Sequence, residues 1–150
     1  MKTPYYDVDN SLGFLTITTN RLMSACLRKR LVEAGIDITA EQWGVLTRLW
    51  NRNGIAQDEL AYIVCVDKSS LSRVLDVMER RGLVCRMRDP DDARRKILFA
   101  TDQADTLREP CLKAAREALA TMLENVDSGE LATCLKVLAQ VKQNIRKQAE

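Results

Sequence analysis

Lys68, Ser69, Ser70, Ser72 and Arg73 crowd into six positions, and Arg94, Arg95 and Lys96 follow as an unbroken basic run. Short hydroxyls beside long cations suit a polyanionic partner. The hydroxyls permit close approach, and the cations reach phosphate oxygens or the acceptor edge of guanine. From Asp67 to Lys96 nine Lys/Arg stand against six Asp/Glu, a net of +3, while the whole 150-residue chain carries only +2. An excess this small steers DNA weakly, so the placement of the donors matters more than the overall field.

The surrounding residues predict how they are placed. Leu60, Ala61 and Val64 share one face of a short helix, with the small Ala61 where a second helix crosses. Asp67 has the chemistry of an N-cap, its carboxylate accepting from the free N–H groups of a first turn. Leu71, Val74, Leu75 and Met78 then recur as a buried stripe, which turns Lys68, Ser69, Ser72 and Arg73 outward and leaves Ser70 near the helix start. Gly82 stops this helix. Leu83 to Arg88 alternates as a half-buried strand, Asp89-Pro90-Asp91-Asp92 is a turn cluster, and Lys96 to Phe99 returns as a second strand. Arg86 and Arg88 join the DNA-facing set, and Arg94 and Arg95 stand near the hairpin tip, where an exposed arginine enters a minor groove. Asp92 is near enough in sequence to pair with Arg94 and hold its guanidinium. A short helix, a tight turn, a second helix and a hairpin form a winged helix-turn-helix, whose second helix meets the major groove.

Helical spacing continues on both sides. A first helix is expected over about Asp9 to Ala34, carrying Leu12, Leu15, Thr19, Leu22, Cys26 and Leu27. Thr39-Ala40-Glu41-Gln42 reads as a capping box opening a second helix that stops at Asn53-Gly54. Thr101 or Asp102 caps a long helix with Leu107, Cys111, Ala115, Ala118, Leu119 and Met122, and Pro110 inside it predicts a kink or a break. A last helix after Asp127 aligns Leu131, Leu135, Leu138, Val141 and Ile145 on one side. The expected fold is mainly α with a small two-stranded β wing. It is one domain over 1–150, with dimerisation helices at about 1–38 and 102–150 flanking a DNA-binding lobe at about 39–101.

Other chemistries find little support. Without histidine, and with no glycine-rich phosphate loop, metal-ligand cluster or nucleophile elbow, neither an enzyme nor a cofactor is expected. The five cysteines, at 26, 65, 85, 111 and 134, form no Cys-x-x-Cys pair and read mostly as small buried hydrophobes. Met1-Lys2-Thr3-Pro4-Tyr5 lacks an apolar leader core and no run reaches membrane-spanning length, so a cytoplasmic protein without a membrane partner is expected.

The chain resembles MarR-family transcriptional regulators over essentially its whole length. The resemblance is carried by Gln42-Trp43 with Leu46 and Leu49, by Glu59-Leu60-Ala61, by Asp67 to Arg73, by Leu75 to Glu79, by Gly82 to Arg86 and by Asp89 to Arg94. The family's Asp-x-Arg wing signature falls on Asp92 and Arg94, and Thr101 stands where the family opens its next helix. Ala104 occupies a place where many relatives carry glycine. The resemblance implies a homodimer on a pseudo-palindromic double-stranded operator, usually repressing, and released by a small anionic or phenolic ligand or by cysteine oxidation. Gly13 stands where the hydroperoxide-sensing branch carries its reactive cysteine, which argues against that route. Cys26 qualifies as a sensor only if exposed and acidified.

In such dimers an effector binds between the dimerisation helices and the DNA-reading lobe. Trp43 and Trp50, seven apart, are candidates for one wall and Arg21 for a carboxylate partner, although the spacing of the tryptophans fits core packing better. A winged-helix interaction module that does not bind DNA, or a cysteine-based redox regulator, would be the alternative. Lys68, Arg73, Arg94 and Arg95 together speak against the interaction module.

Overall fold

The computed structural model describes residues 7–148, so the leader reading of Met1 to Tyr5 lies outside the described residues. In chain order the elements are α1 (Leu12–Glu33), α2 (Ala40–Asn51), β1 (Ile55–Ala56), α3 (Gln57–Val64), α4 (Lys68–Arg80), β2 (Val84–Arg88), β3 (Lys96–Ala100), α5 (Asp102–Met122) and α6 (Ser128–Gln148). The expected two-stranded wing forms as β2 and β3, and β1 joins its edge to give a three-stranded antiparallel sheet in the order β1-β3-β2. Ile55 and Ala56 pair with Leu98 and Ile97, a strand too short to show in the sequence as an alternating run.

Local chemistry sets most of the boundaries. Ser11 caps α1, accepting from Phe14 N–H at 3.2 Å, so the helix opens later than expected. The capping box of α2 is formed: Thr39 Oγ1 accepts from Gln42 N–H at 3.2 Å, and Gln42 Oε1 accepts from Thr39 N–H at 3.1 Å. Thr101 rather than Asp102 caps α5, accepting from Ala104 N–H while its own hydroxyl donates to Gly82 O at 2.6 Å. Helix α5 passes through Pro110 without the break expected there. Pro110 and Thr106, whose carbonyl loses its partner, are exposed, so the freed group is open to solvent.

The described residues divide after Ala118 into two compact units. The first has a single core in which Leu31, Leu46, Leu49, Leu60, Leu75, Met78 and Leu98 are essentially without solvent contact. Trp43 and Trp50 meet edge to face with ring centroids 6.2 Å apart, partly buried against this core. Gln42, the one buried polar residue among those described, also takes a hydrogen bond from Arg81 Nη1. Arg81 Nη2 donates to Asp37 O at 2.6 Å, and Arg28 donates to both Ile38 O and the Asp37 carboxylate. This knot joins α1 to the end of α4. The hydrogen bond from Arg28, aided by the charges of Arg28 and Arg81, holds the Asp37 carboxyl below the usual carboxylate range.

The second unit holds the end of α5, a turn with Asn125 at φ 61° and α6, capped by Asp127 accepting from Gly129 and Glu130. No residue of α6 is buried; Leu135 and Ile145 of its expected stripe are exposed. Helix α1 is similar, with Leu31 as its only buried residue. The expectation of mostly buried cysteines fails among the five: only Cys111 is buried, Cys26 and Cys85 are half-buried, and Cys65 and Cys134 are exposed. Burial pushes the Cys111 thiol up from its ordinary value, the opposite of activation. Cys65 is exposed because it is the turn, ending α3 in the left-handed conformation at φ 56°.

Candidate nucleic-acid interface

Helix α4 is amphipathic in the sense the stripe requires. Leu71, Leu75 and Met78 are buried and Val74 packs against the core, while Lys68, Ser69 and Arg73 are exposed and Ser72 and Ser70 are half-buried. The start of the helix is held by one carboxylate. Asp67 accepts from Ser70 N–H at 2.8 Å, Ser69 Oγ at 2.5 Å and Ser70 Oγ at 2.6 Å. Those hydroxyl bonds, with the amide bond behind them, drive its pKa well below the ordinary aspartate value. Ser69 and Ser70 thus have fixed hydroxyl orientations, with their protons turned toward the cap.

The wing tip is closed by its own acids. Asp91 N–H donates to Asp89, Arg94 N–H donates to the Asp92 carboxylate at 3.0 Å, and Asp89 N–H donates to Arg95 O across the loop. The expected side-chain pair of Asp92 with Arg94 is therefore replaced by a bond to the Arg94 backbone, because two residues of separation suit an Asx turn. Arg95 bridges Asp89 at 3.6 Å and Asp58 of α3 at 3.8 Å, which ties the wing to the helix pair.

Beside these contacts lies a notch of about 290 Å3 lined by Gln57, Asp58, Lys68, Arg94, Arg95 and Lys96. It unites the first residue of α4 with the basic run of the wing, four cations against one carboxylate. Among the described residues, the buried Gln57 Oε1 there has no hydrogen-bond partner. Gln57 and Asp58 escaped sequence reasoning: they open α3, and nothing local relates them to a hairpin tip far along the chain. Lys68, Arg73, Arg88, Arg94 and Lys96 enter no ion pair among the described residues, so their charges are available to a partner.

Arg86 does not belong to this set. Its side chain is 10% exposed, with Nη1 2.6 Å from Asp76 and 3.5 Å from Glu79, and Nη2 donates to Ser72 O at 3.0 Å. The strand alternation assigns Val84 and Arg86 to the face against α4 and leaves Met87 exposed, the reverse of a simple apolar-inward reading. Arg86 fastens the wing to the back of the recognition helix. Arg88 sits at the outer end of β2 opposite Lys96 and is exposed.

Trp43 and Trp50 pack against the core, as their spacing favoured, and among the described residues neither lines the notch above or the larger cavity on the other side of α4. That cavity is lined from α1, α2 and the helix-turn-helix, without Arg21, which is exposed. The signal missed was Gly44, a gap in the middle of α2.

A helix-turn-helix whose second helix shares a cationic notch with a β wing defines a winged-helix protein built to meet nucleic acid. The MarR family model matches residues 38–96, which spans this lobe. A Bacillus subtilis HTH-type transcriptional regulator, YdgJ, is 32% identical over 75% of this chain and 69% of its own length. A mutant MarR from Escherichia coli, complexed with operator DNA, is 28% identical with a TM-score of 0.78, covering 87% of this chain and 92% of that one. CouR from Rhodococcus jostii, bound to p-coumaroyl-CoA, shares the fold at 22% identity and a TM-score of 0.77, over 91% of this chain and 94% of that one. This chain belongs to the MarR family of transcriptional regulators. Among the described residues no helix is long and apolar enough to cross a membrane.

Proposed function

We propose that the protein is a homodimeric repressor that binds a pseudo-palindromic operator and leaves it when a small molecule binds. The notch that joins Lys68 to Arg94, Arg95 and Lys96 carries the reading. It is shaped and charged for a phosphate passing between recognition helix and wing, and it fixes the register in which Ser69, Ser72 and Arg73 meet base edges. Arg88, Arg94 and Arg95 extend the contact along the backbone and into the flanking minor groove. The operator-bound relative supports this assignment.

Dimerisation is supported by helix surface that the chain leaves uncovered. Leu12, Phe14, Leu15, Ile17, Leu22 and Met23 are exposed on α1, and Leu135 and Ile145 on α6. Burying such faces against a second copy would set two recognition helices about one DNA turn (~34 Å) apart, the geometry a palindromic site needs. Release by a ligand is suggested by the cavity between α1 and the helix-turn-helix and by the ligand-bound relative.

Fluorescence anisotropy on DNA upstream of the protein's own gene, with a scrambled duplex as control, tests the reading. Binding at least ~10³-fold tighter to the first establishes a specific regulator. Absence of binding to either duplex, even at low salt, rejects it in favour of a protein-interaction module. Light scattering that gives a monomer mass at micromolar concentration rejects the dimer.

A further inference from the structure

Behind the recognition helix lies a cavity of about 310 Å3, within the range of small-molecule sites. Val45 of α2, Val64 at the end of α3, and Leu71 and Val74 of α4 supply apolar wall. Its polar groups are Asn20 and Ser24 of α1, Glu41 of α2 and Ser70 of α4. Among the described residues Glu41, itself exposed to solvent, is the only charged one lining it, and no lysine or arginine does. An anion entering this space would meet a like charge and no cation, whereas a cation with an apolar body would meet a carboxylate at one side and valines and leucine at the other.

Gly44, itself one of the lining residues, contributes to that space. It lies inside α2 with no left-handed φ, and a Cβ built on it meets nothing within 4 Å. Neither a turn nor close packing therefore asks for glycine, which costs a helix stability relative to alanine. What the missing side chain leaves is room beside Glu41.

We infer that this cavity binds a small lipophilic amine, its ammonium on Glu41 and its apolar body against Val64, Leu71 and Val74. As an effector site it rests on the ligand-release reading above, and it replaces the anionic or phenolic ligand that the resemblance implied. Its walls explain the coupling. Asn20 and Ser24 belong to α1, while Ser70 lines the cavity and donates its hydroxyl to Asp67, the cap of α4, at 2.6 Å. An occupant that draws on Ser70 or spreads α1 from α4 changes the seating of the recognition helix, and DNA and ligand then weaken each other reciprocally.

Isothermal titration of the full-length protein with naphthylmethylammonium and with naphthoate compares a cation and an anion on the same ring system. The amine is expected to bind about tenfold or more tightly than the acid, the worth of one charge-assisted contact. Glu41→Gln, which keeps size and helix propensity, should erase that preference, and Gly44→Leu, which fills the space, should abolish binding of the amine. Circular dichroism confirms that both variants fold. Equal or tighter binding of naphthoate, no binding of the amine, or amine binding untouched by both variants overturns the proposal. Anisotropy on the operator separates it from the wider reading. Amine binding that leaves operator affinity unchanged keeps the site and rejects release through it, whereas release by naphthoate without amine binding rejects the site and keeps ligand release.

Discussion

Helices α4 and α1 are both rich in apolar residues, yet they use them differently. In α4 the stripe closes on the chain's own core, with Leu75 and Met78 wholly buried and a polar face left over for a partner. In α1, 22 residues bury Leu31 alone and leave leucines, a phenylalanine and a methionine in solvent. The recognition helix is thus specified within one chain, whereas α1 holds apolar surface that calls for a second surface to cover it. The largest expected effects follow from that contrast. Leu75→Ala should lower unfolding free energy by about 2–5 kcal/mol, because it empties a fully packed site. Leu15→Glu with Leu22→Glu should alter intrachain packing little, since both are exposed, but halve the mass in light scattering and remove high-affinity operator binding. An unchanged mass would break the comparison and leave the apolar face of α1 unexplained.

Two of the wing's arginines, Arg86 and Arg94, make a finer version of the same test. Arg86 is inside, bonded to Asp76, Glu79 and Ser72 O, whereas Arg94 is exposed and enters no ion pair among the described residues. Arg86→Ala should therefore destabilise the lobe by about 1–3 kcal/mol in urea unfolding, through lost charge-assisted bonds and unpaired acceptors. Arg94→Ala should leave unfolding unchanged, weaken DNA binding across sequences and reduce the salt slope by about one. If both variants keep their stability and lose the same DNA affinity, the division between fastening and reading arginines is wrong.

The cap of α4 yields a smaller effect with a defined sign. Asp67 has a folded pKa depressed below its ordinary value of 3.8, chiefly by the hydroxyls of Ser69 and Ser70. Its contribution is complete above that ordinary value and is lost as pH falls through the folded pKa. Asp67→Asn keeps a good N-cap but no charge, so thermal melts from neutral pH down past 3.8 should show a shallower acid-side loss. Asp37, depressed by Arg28 and Arg81, works in the same direction, and Asp37→Asn distinguishes the two. An acid limb identical in all three proteins would place the acid sensitivity in other carboxylates.

What the sequence disclosed follows the range of the interactions. Asp67, the Thr39 box, the Leu71–Met78 stripe and the Asp89–Asp92 turn act over a few residues, and their chemistry is written in their spacing. Lys68 could be assigned to a DNA-facing surface, but its notch with Arg94 and Lys96 is assembled by tertiary packing, which also brings Arg95 to 3.8 Å from Asp58. Arg86 misled because its strand position says only that it alternates with Met87. Which of the two faces inward was decided by Asp76 and Glu79 on a helix that no local pattern connects to it. The two-residue β1 carries no period at all. The tryptophans, whose spacing favoured core packing, pair with each other against the core, and the cavity is lined instead by a neighbour that has no side chain.

That neighbour, Gly44, gives the smallest effect and the sharpest view of why the cavity persists. Since a Cβ there meets nothing within 4 Å and the backbone is helical, Gly44→Ala should raise unfolding free energy by about 0.5–1 kcal/mol. A methyl group takes little from about 310 Å3, so amine binding should survive in this variant although it fails in Gly44→Leu. Stability gained without loss of binding would mean that the glycine keeps room for something larger than a methyl. Stability unchanged or lowered in chemical denaturation would mean that the helix already tolerates the gap, and that Gly44 answers to a packing partner such as a second copy rather than to a ligand.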